Sequence, residues 1–284
     1  MSLTLVVGAG GTVGSSVVQE LMQRGQRVRA LSSRAPRPAA GLLEWAQADV
    51  VGGQGLDHAF EGVTHAFLFA PPGHANQHEI LLPLIERAHS AGLHKVVLMS
   101  ALGADADARA PLRVAELALE ASGLAWNTVR PNWFMQNFSH AWLPGILATG
   151  RIQLPAGQAA ASFIDTRDIA AVIARLLTSQ DLEGQAFNLT GSRALGFDEA
   201  AATLSRVADR RIAYEPITPD AMRQGLLAAG VDADYAAFLV LILGFLAAGY
   251  NAGTTVGVQR LLGREPIDFE RYAQEHAQVW KTAA

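Results

Sequence analysis

The sequence predicts an α/β protein: a doubly wound parallel sheet followed by a smaller, mostly helical C-terminal domain. Three observations carry that expectation. Short β-rich apolar runs alternate with helical segments through about two thirds of the 284 residues, the rhythm of a parallel sheet covered on both faces. The first run, Leu3-Thr4-Leu5-Val6-Val7, leads directly into glycines spaced three apart, Gly8, Gly11 and Gly14, and then into a helix-like stretch, the strand–turn–helix context of a phosphate-binding turn. Beyond about residue 190 the alternation ceases and helical patterns dominate.

The elements follow in order. Strands are expected at 3–7, 27–31, 44–47, 65–69, 95–100, 126–130 and 186–189, and helices near 13–24, 56–60, 77–91, 112–122 and 168–179. Phe197-Asp198-Glu199 opens a further helix, 211–216 reads as a short strand, and 219–230, 235–249 and 268–280 read as helices. This divides the chain into a dinucleotide-binding domain of 1–150 plus 163–190 and a small substrate domain of 151–162 plus 191–284. The run from Tyr235 to Gly249 has no polar face and is shorter than the roughly 20 residues a bilayer span needs. It is expected to be buried on all sides, by the core, a hydrophobic ligand or a second subunit, so a homodimer is open.

Composition narrows the class of function. With 22 basic and 26 acidic residues the net charge is −4, which attracts no nucleic acid. Cysteine is absent, which excludes disulfides, thiolate catalysis and cysteine-ligated metals. No spacing of His, Asp and Glu suggests a metal site, and no nucleophile elbow is present. The chain enters its first strand without a charged start and cleavable apolar segment, so a cytoplasmic location is expected, with no membrane partner.

In the glycine turn, Gly8 reverses the chain, Gly11 admits a pyrophosphate, and Gly14 lets the helix, entered through Thr12 and Val13, pack on the strand. Glycines also make ordinary tight turns, but this context favours a dinucleotide. After the second strand stand Ser32, Ser33 and Arg34, with Arg37 beyond, and the first acid is Glu44. An NAD site places a carboxylate about 20 residues after the glycines, whereas a 2′-phosphate takes a guanidinium and hydroxyl donors. NADPH is therefore the expected cofactor, with Arg34 and Ser32 on its phosphate; otherwise Arg34 is a solvated loop charge.

Ligands of such folds sit beyond the carboxyl ends of the strands. Those ends supply Asp49 and Val50, then Phe69, Ala70 and Pro71, then Ser100 and Ala101, and finally Pro131 and Asn132. Asp49 suits an adenine amino group or is a loop acid. Trp133, Phe134, Asn137, Phe138 and Trp142 crowd into ten residues, joined later by Phe163. They either receive a flat hydrophobic substrate or form an aromatic core. His74 and His78 flank the loop after the fourth strand, where histidines are usually solvated.

Gly8-x-x-Gly11-x-x-Gly14, the Asp49-Val50 pair, Lys95-Val96-Val97-Leu98-Met99-Ser100, Glu116 followed by Ser122-Gly123-Leu124, and Val129-Arg130-Pro131-Asn132-Trp133-Phe134 together resemble the NmrA-like branch of the atypical short-chain dehydrogenases. The likeness continues through Phe163-Ile164-Asp165-Thr166-Arg167-Asp168 and Phe187-Asn188-Leu189-Thr190-Gly191 to Leu262-Gly263-Arg264-Glu265-Pro266. It implies a Rossmann domain with NADPH at the glycine turn and a substrate cleft under the C-terminal domain. Members similar to this chain include triphenylmethane-dye, quinone and ergot-alkaloid iminium reductases, and the branch also holds non-catalytic dinucleotide sensors.

One absence bears on mechanism. Ketone-reducing short-chain dehydrogenases protonate the carbonyl from a Tyr-x-x-x-Lys pair. Here Tyr214, Tyr235, Tyr250 and Tyr272 are followed four residues on by Thr218, Leu239, Thr254 and His276, and the only lysines are Lys95 and Lys281. Counted back from Glu116 by the family's spacing, the pair's places hold Ala108 and Leu112. The expected activity is hydride transfer to a hydrophobic, aromatic or cationic acceptor that needs no strong acid, with no catalytic side chain assigned. The alternative is a redox sensor.

Overall fold

The computed structural model describes residues 2–35 and 38–281. Its strands are β1 (Leu3–Val6), β2 (Arg27–Ser32), β3 (Leu43–Gln47), β4 (His65–Leu68), β5 (Lys95–Met99), β6 (Ala125–Pro131), β7 (Arg151–Leu154), β8 (Ala160–Ala161), β9 (Gln185–Leu189), β10 (Leu195–Gly196) and β11 (Ala213–Pro216). The helices are α1 (Thr12–Gln23), α2 (Leu56–Phe60), α3 (Gln77–Ser90), α4 (Pro111–Ala121), α5 (Leu143–Thr149), α6 (Thr166–Leu177), α7 (Phe197–Ala208), α8 (Pro219–Ala228), α9 (Ala233–Ala247), α10 (Gly257–Leu262) and α11 (Phe269–Glu275). The expected elements are present with ends shifted by two residues at most, except that 268–280 breaks into α11 and a 3₁₀ turn, Ala277–Trp280. Pattern reading passed over β7, β8, β10, α5 and α10, all too short for a period to emerge.

The chain forms two compact units, residues 1–131 with 166–188 and residues 132–165 with 189–284. The first boundary therefore falls at 131 rather than 150. Residues 132–150 belong to the second unit because Met135, Phe138 and Ile146 are buried in its core.

The first unit is a Rossmann-like sheet in the order β3-β2-β1-β4-β5-β6-β9. The pairs joining β1 to β6 are all parallel. All four residues of β1 are buried, as are Lys95–Leu98 of β5. Strands covered on both faces lose the two-residue alternation, which is why they read as continuous apolar runs. The sheet winds outward in both directions from β1 and β4, and such a switch point opens a crevice at the carboxyl edge. The parallel order brings the ends of β1 to β6, from the Gly8 turn to Pro131, to that one edge.

In the second unit β7 pairs with β11 and β8 with β10. Its core is a herringbone of aromatic rings. Phe138 meets Trp142 edge-on at 4.7 Å, Phe163 at 5.2 Å and Phe269 at 5.0 Å, geometries that ring quadrupoles favour. The apolar helix α9 departs from expectation. Only Ala236, Leu243 and Leu246 are buried, while Leu241 is 56% and Phe245 50% exposed. Ala236, Leu243 and Leu246 form a single stripe seven and three positions apart, flanked by half-buried Phe238, Leu239, Val240 and Ile242, so a helix packed on one side wets its far face whatever its composition. No described helix is long and apolar enough to cross a membrane.

Candidate functional site

The turn after β1 contains glycines of two kinds. Gly8 has φ +62°, and a Cβ there would lie 2.4 Å from the Phe69 ring; one at Gly14 would lie 2.2 Å from the Gly8 carbonyl oxygen. These positions take glycine because the chain's own atoms leave no room. Gly10 and Gly11 are exposed and free of left-handed backbone. A Cβ on Gly10 would meet nothing within 4 Å, and one on Gly11 only the Gly8 carbonyl oxygen at 3.3 Å. The fold therefore does not account for glycine at 10, and only weakly at 11.

The bare backbone at these two residues stands at the head of α1. Gly11 is the N-cap, no side chain caps the helix, and its first turn holds no acid. The first N–H groups of a helix lack intrahelical acceptors and carry partial positive charge. An uncapped helix start behind glycine backbone fits a pyrophosphate, which a Cβ at Gly11 would crowd. Thr12 is half-buried and Val13 buried, both within the first turn.

At the end of β2, Ser32 Oγ accepts the Arg34 backbone N–H at 3.1 Å, a tight turn that leaves the Arg34 side chain exposed. No ion pair or hydrogen bond engages its guanidinium among the described residues. Arg37 lies outside the described residues. Glu44, the first acid after β2, is held by Arg29 at 2.7 Å and Arg27 at 3.7 Å, so it is committed elsewhere. Asp49 follows the loop-acid reading in part: Oδ1 accepts the Val51 N–H at 2.9 Å and closes its own turn. Val50, Phe69, Ala70 and Pro71 are half-buried, and Phe69 stacks on Phe67 at 5.6 Å beneath Gly8.

Ser100 follows β5 and is 6% exposed; its N–H donates to the Val129 carbonyl at 2.9 Å. Ala101 is half-buried, and the Pro131 carbonyl accepts the Leu102 N–H at 3.0 Å. Beside Ser100 lies a network that sequence reasoning missed. Arg130 Nε and Nη2 donate to the two oxygens of Glu116 at 2.9 and 2.7 Å, and Arg113 adds a bond at 2.8 Å. Burial pushes the Glu116 carboxyl up, but Arg130, the Ser100 hydroxyl and Arg113 outweigh it and hold the group below its usual range. The available signal was an arginine near the end of a mostly buried strand.

In the second unit Asn132 is 3% exposed and saturated by protein partners. Its Nδ2 donates to Ser162 Oγ and to the Asn251 carbonyl, both at 2.8 Å, while Oδ1 accepts the Trp133 N–H and Asn251 Nδ2, both at 2.9 Å. Asn132 thus clasps the 251–253 segment instead of offering its amide to a cofactor. Phe138 and Phe163, 0% and 2% exposed, are core residues, and of the two only Phe163 borders a pocket, beside Met135 and Phe269. Trp133, Phe134, Asn137 and Trp142 remain half-buried.

A family model described as NAD(P)H-binding matches residues 8–180. The chain is 31% identical to an NAD(P)H azoreductase of Xenophilus azovorans, over 99% of this chain and 100% of the relative. It is 32% identical to a (4-alkanoyl-5-oxo-2,5-dihydrofuran-3-yl)methyl phosphate reductase of Streptomyces griseus, over 98% and 99%. Among solved structures it shares its fold with the Citrobacter sp. triphenylmethane reductase complexed with NADP(H), with TM-score 0.80 and 22% identity over 98% and 100% of the two chains.

Proposed function

The chain belongs to the NAD(P)H-binding family and is an oxidoreductase, and from that premise we propose that it is an NADPH-dependent reductase of a hydrophobic acceptor, aromatic or cationic, of the iminium, quinone or dye kind. The observation that carries the choice of acceptor is where the ionisable hydroxyls and amines lie. All four tyrosines belong to the second unit. Lys95 begins β5, at the edge of the sheet opposite the glycine turn. Ala108 is exposed and Leu112 half-buried on α4. With no Tyr-x-x-x-Lys spacing in the sequence and Ala108 and Leu112 at the pair's places, the reading is an acceptor whose product anion or neutralised cation needs no proton at the moment of reduction.

NADPH, when bound, supplies the hydride. The chain's part is position: the Gly10–Gly11 backbone and the α1 N-terminus hold the pyrophosphate, and Ser32 and Arg34 hold the 2′-phosphate. The charge-assisted bonds of a guanidinium to phosphate and the absence of a free carboxylate at the end of β2 support NADPH over NADH. Holding an acceptor in near-attack geometry accounts for about 7–11 kcal/mol of barrier at its upper limit. The NAD(P)H azoreductase, similar over its full length, is in keeping with a flat conjugated acceptor.

The test is loss of reduced-nicotinamide absorbance with NADPH or NADH and a panel of quinones, cationic triarylmethane dyes, cyclic iminium ions and simple ketones. Turnover of the first three classes with NADPH, and none of ketones, is expected. Brisk ketone reduction would reveal a proton donor and overturn the reading. Silence across the panel with NADPH bound would make the protein a sensor.

A further inference from the structure

The sheet has a second edge, where β1, β2, β4 and β5 begin. There, wholly within the first unit, lies a cavity of about 400 Å³ lined chiefly by Gln26, His65, His94, Lys95, Ser179 and Glu183. It is remote in the topology from the glycine turn, because parallel strands put their amino and carboxyl ends at opposite edges. Nothing in the proposed reductase chemistry uses it.

Its donors outnumber its acceptors. Lys95 is 2% exposed and makes one hydrogen bond, to the Ser179 carbonyl at 2.6 Å. Glu183 Oε1 stands 3.7 Å from the ammonium, an ion pair beyond hydrogen-bond length. An ammonium carries three donors, so two have no acceptor at bonding distance among the described residues. The Ser179 hydroxyl is buried without a hydrogen bond of ordinary length, its nearest acceptor being the Asp181 carboxylate. His65 meets His94 edge-on at 6.0 Å, and its Nδ1 is occupied by the Thr64 hydroxyl at 2.9 Å.

We propose that this cavity binds a small oxyanion of the phosphate or carboxylate kind, gripped by Lys95, Ser179 and the two imidazoles. Three basic groups face two carboxylates, those of Glu183 and Asp181, whose side chains are 38% and 64% exposed and free to turn to solvent as an anion enters. Asp181 also pairs with Arg175 at 3.3 Å. The carbonyls at the end of α6 lend negative charge to this edge, and the Lys95–Ser179 bond already answers one of them. Burial first, then His94 and Lys95, holds His65 below its ordinary value, with Glu183 opposing. Burial likewise lowers Lys95 against the pull of Glu183 and Asp181, with Arg175 adding to the lowering. A bound oxyanion reverses these penalties, so its binding is linked to proton uptake.

The experiment is an NMR pH titration of the eight histidines in the full chain, without added anion, with inorganic phosphate and with acetate. Either anion is expected to raise the pKa of His65 and His94 by about one unit, equivalent to tenfold tighter binding to the protonated form, and to leave His140 and His276, which do not line the cavity, unmoved. A response to phosphate alone or to acetate alone identifies the source. Lys95→Met abolishes the response, and should that variant not fold, the His65→Gln, His94→Gln double variant must lose the phosphate-dependent thermal stabilisation that remains after the glycine turn is saturated with NADPH. Equal shifts at all histidines, or none at His65 and His94, overturn the proposal.

Discussion

Glu116 and Arg130 form a two-pronged ion pair in which the carboxylate is fully buried and the guanidinium nearly so, at 9% exposure. The pair joins the middle of α4 to the carboxyl end of β6. Arg130 Nη1 also donates to Asp105 at 2.6 Å, so the loop after β5 is fastened to the same guanidinium. The carboxyl edge of the sheet is therefore stiffened beneath Ser100, where a cofactor is expected to lie.

Replacing Glu116 with Gln should cost about 3 kcal/mol of unfolding free energy in urea titration, the lower end for a broken buried pair, since Arg130 keeps only the half-exposed Asp105 as counter-charge. Glu116 has a folded pKa below its unfolded value. Its stabilisation is therefore complete above the ordinary carboxylate range and is lost as pH falls through that range towards the folded pKa. Wild-type stability should fall more steeply on acidification than that of Glu116→Gln, and parallel curves would remove Glu116 from the argument.

The glycines should separate by kind. Gly14→Ala drives a Cβ into the Gly8 carbonyl and should lower stability by about 1–3 kcal/mol, the range of overpacking. Gly10→Ala meets no atom and should change stability by about 0.5 kcal/mol or less. If the bare backbone receives a pyrophosphate, Gly11→Ala should raise the NADPH dissociation constant at least tenfold, about 1.4 kcal/mol, while unfolding by heat stays near wild type. Calorimetric titration beside a melting curve distinguishes the two classes.

Arg34→Glu should weaken NADPH by about 1.5–3 kcal/mol, the value of a hydrogen bond to a charged group, and leave NADH nearly unchanged. Fluorescence titration with each cofactor measures the difference. Equal losses would return Arg34 to the status of a solvated loop charge.

Asn251→Ala removes the side chain that donates to Asn132 Oδ1. A buried group robbed of its partner costs about 1–3 kcal/mol. Amide exchange should accelerate in 249–255 well before global unfolding. Unchanged protection there would mean that the clasp does not hold the segment.

The first unit was legible because its information is local. Leu3 to Gly14 contains, within a dozen residues, an apolar strand, the glycines a tight turn needs and the start of a helix, and each later strand carries its own apolar run. Gly8 and Gly14 followed from spacing alone. Gly10 did not, because its openness is visible only once the turn is built.

The second unit was harder to read for a physical reason. Phe138, Phe163 and Phe269 are far apart in sequence and pack ring against ring, and a crowd of aromatics looks the same whether it lines a chamber or fills a core. Asn132 and Asn251, 119 residues apart, have no common motif. The apolar composition of α9 suggested burial on all sides, yet the fold covers three residues fully and leaves Phe238, Leu239, Val240 and Ile242 half-buried.

By itself the sequence determined the succession of strands and helices in the first unit, the glycine turn after β1 and the lack of an acid at the end of β2, since backbone propensity and glycine spacing act over a few residues. The tertiary structure alone decided which glycines the fold requires, that Glu116 and Arg130 neutralise each other in the interior, that Asn132 is a clasp, and that Lys95 faces a cavity at the far edge of the sheet. Those are matters of burial and pairing between distant segments, and burial is a property of the packed chain, not of any stretch of it.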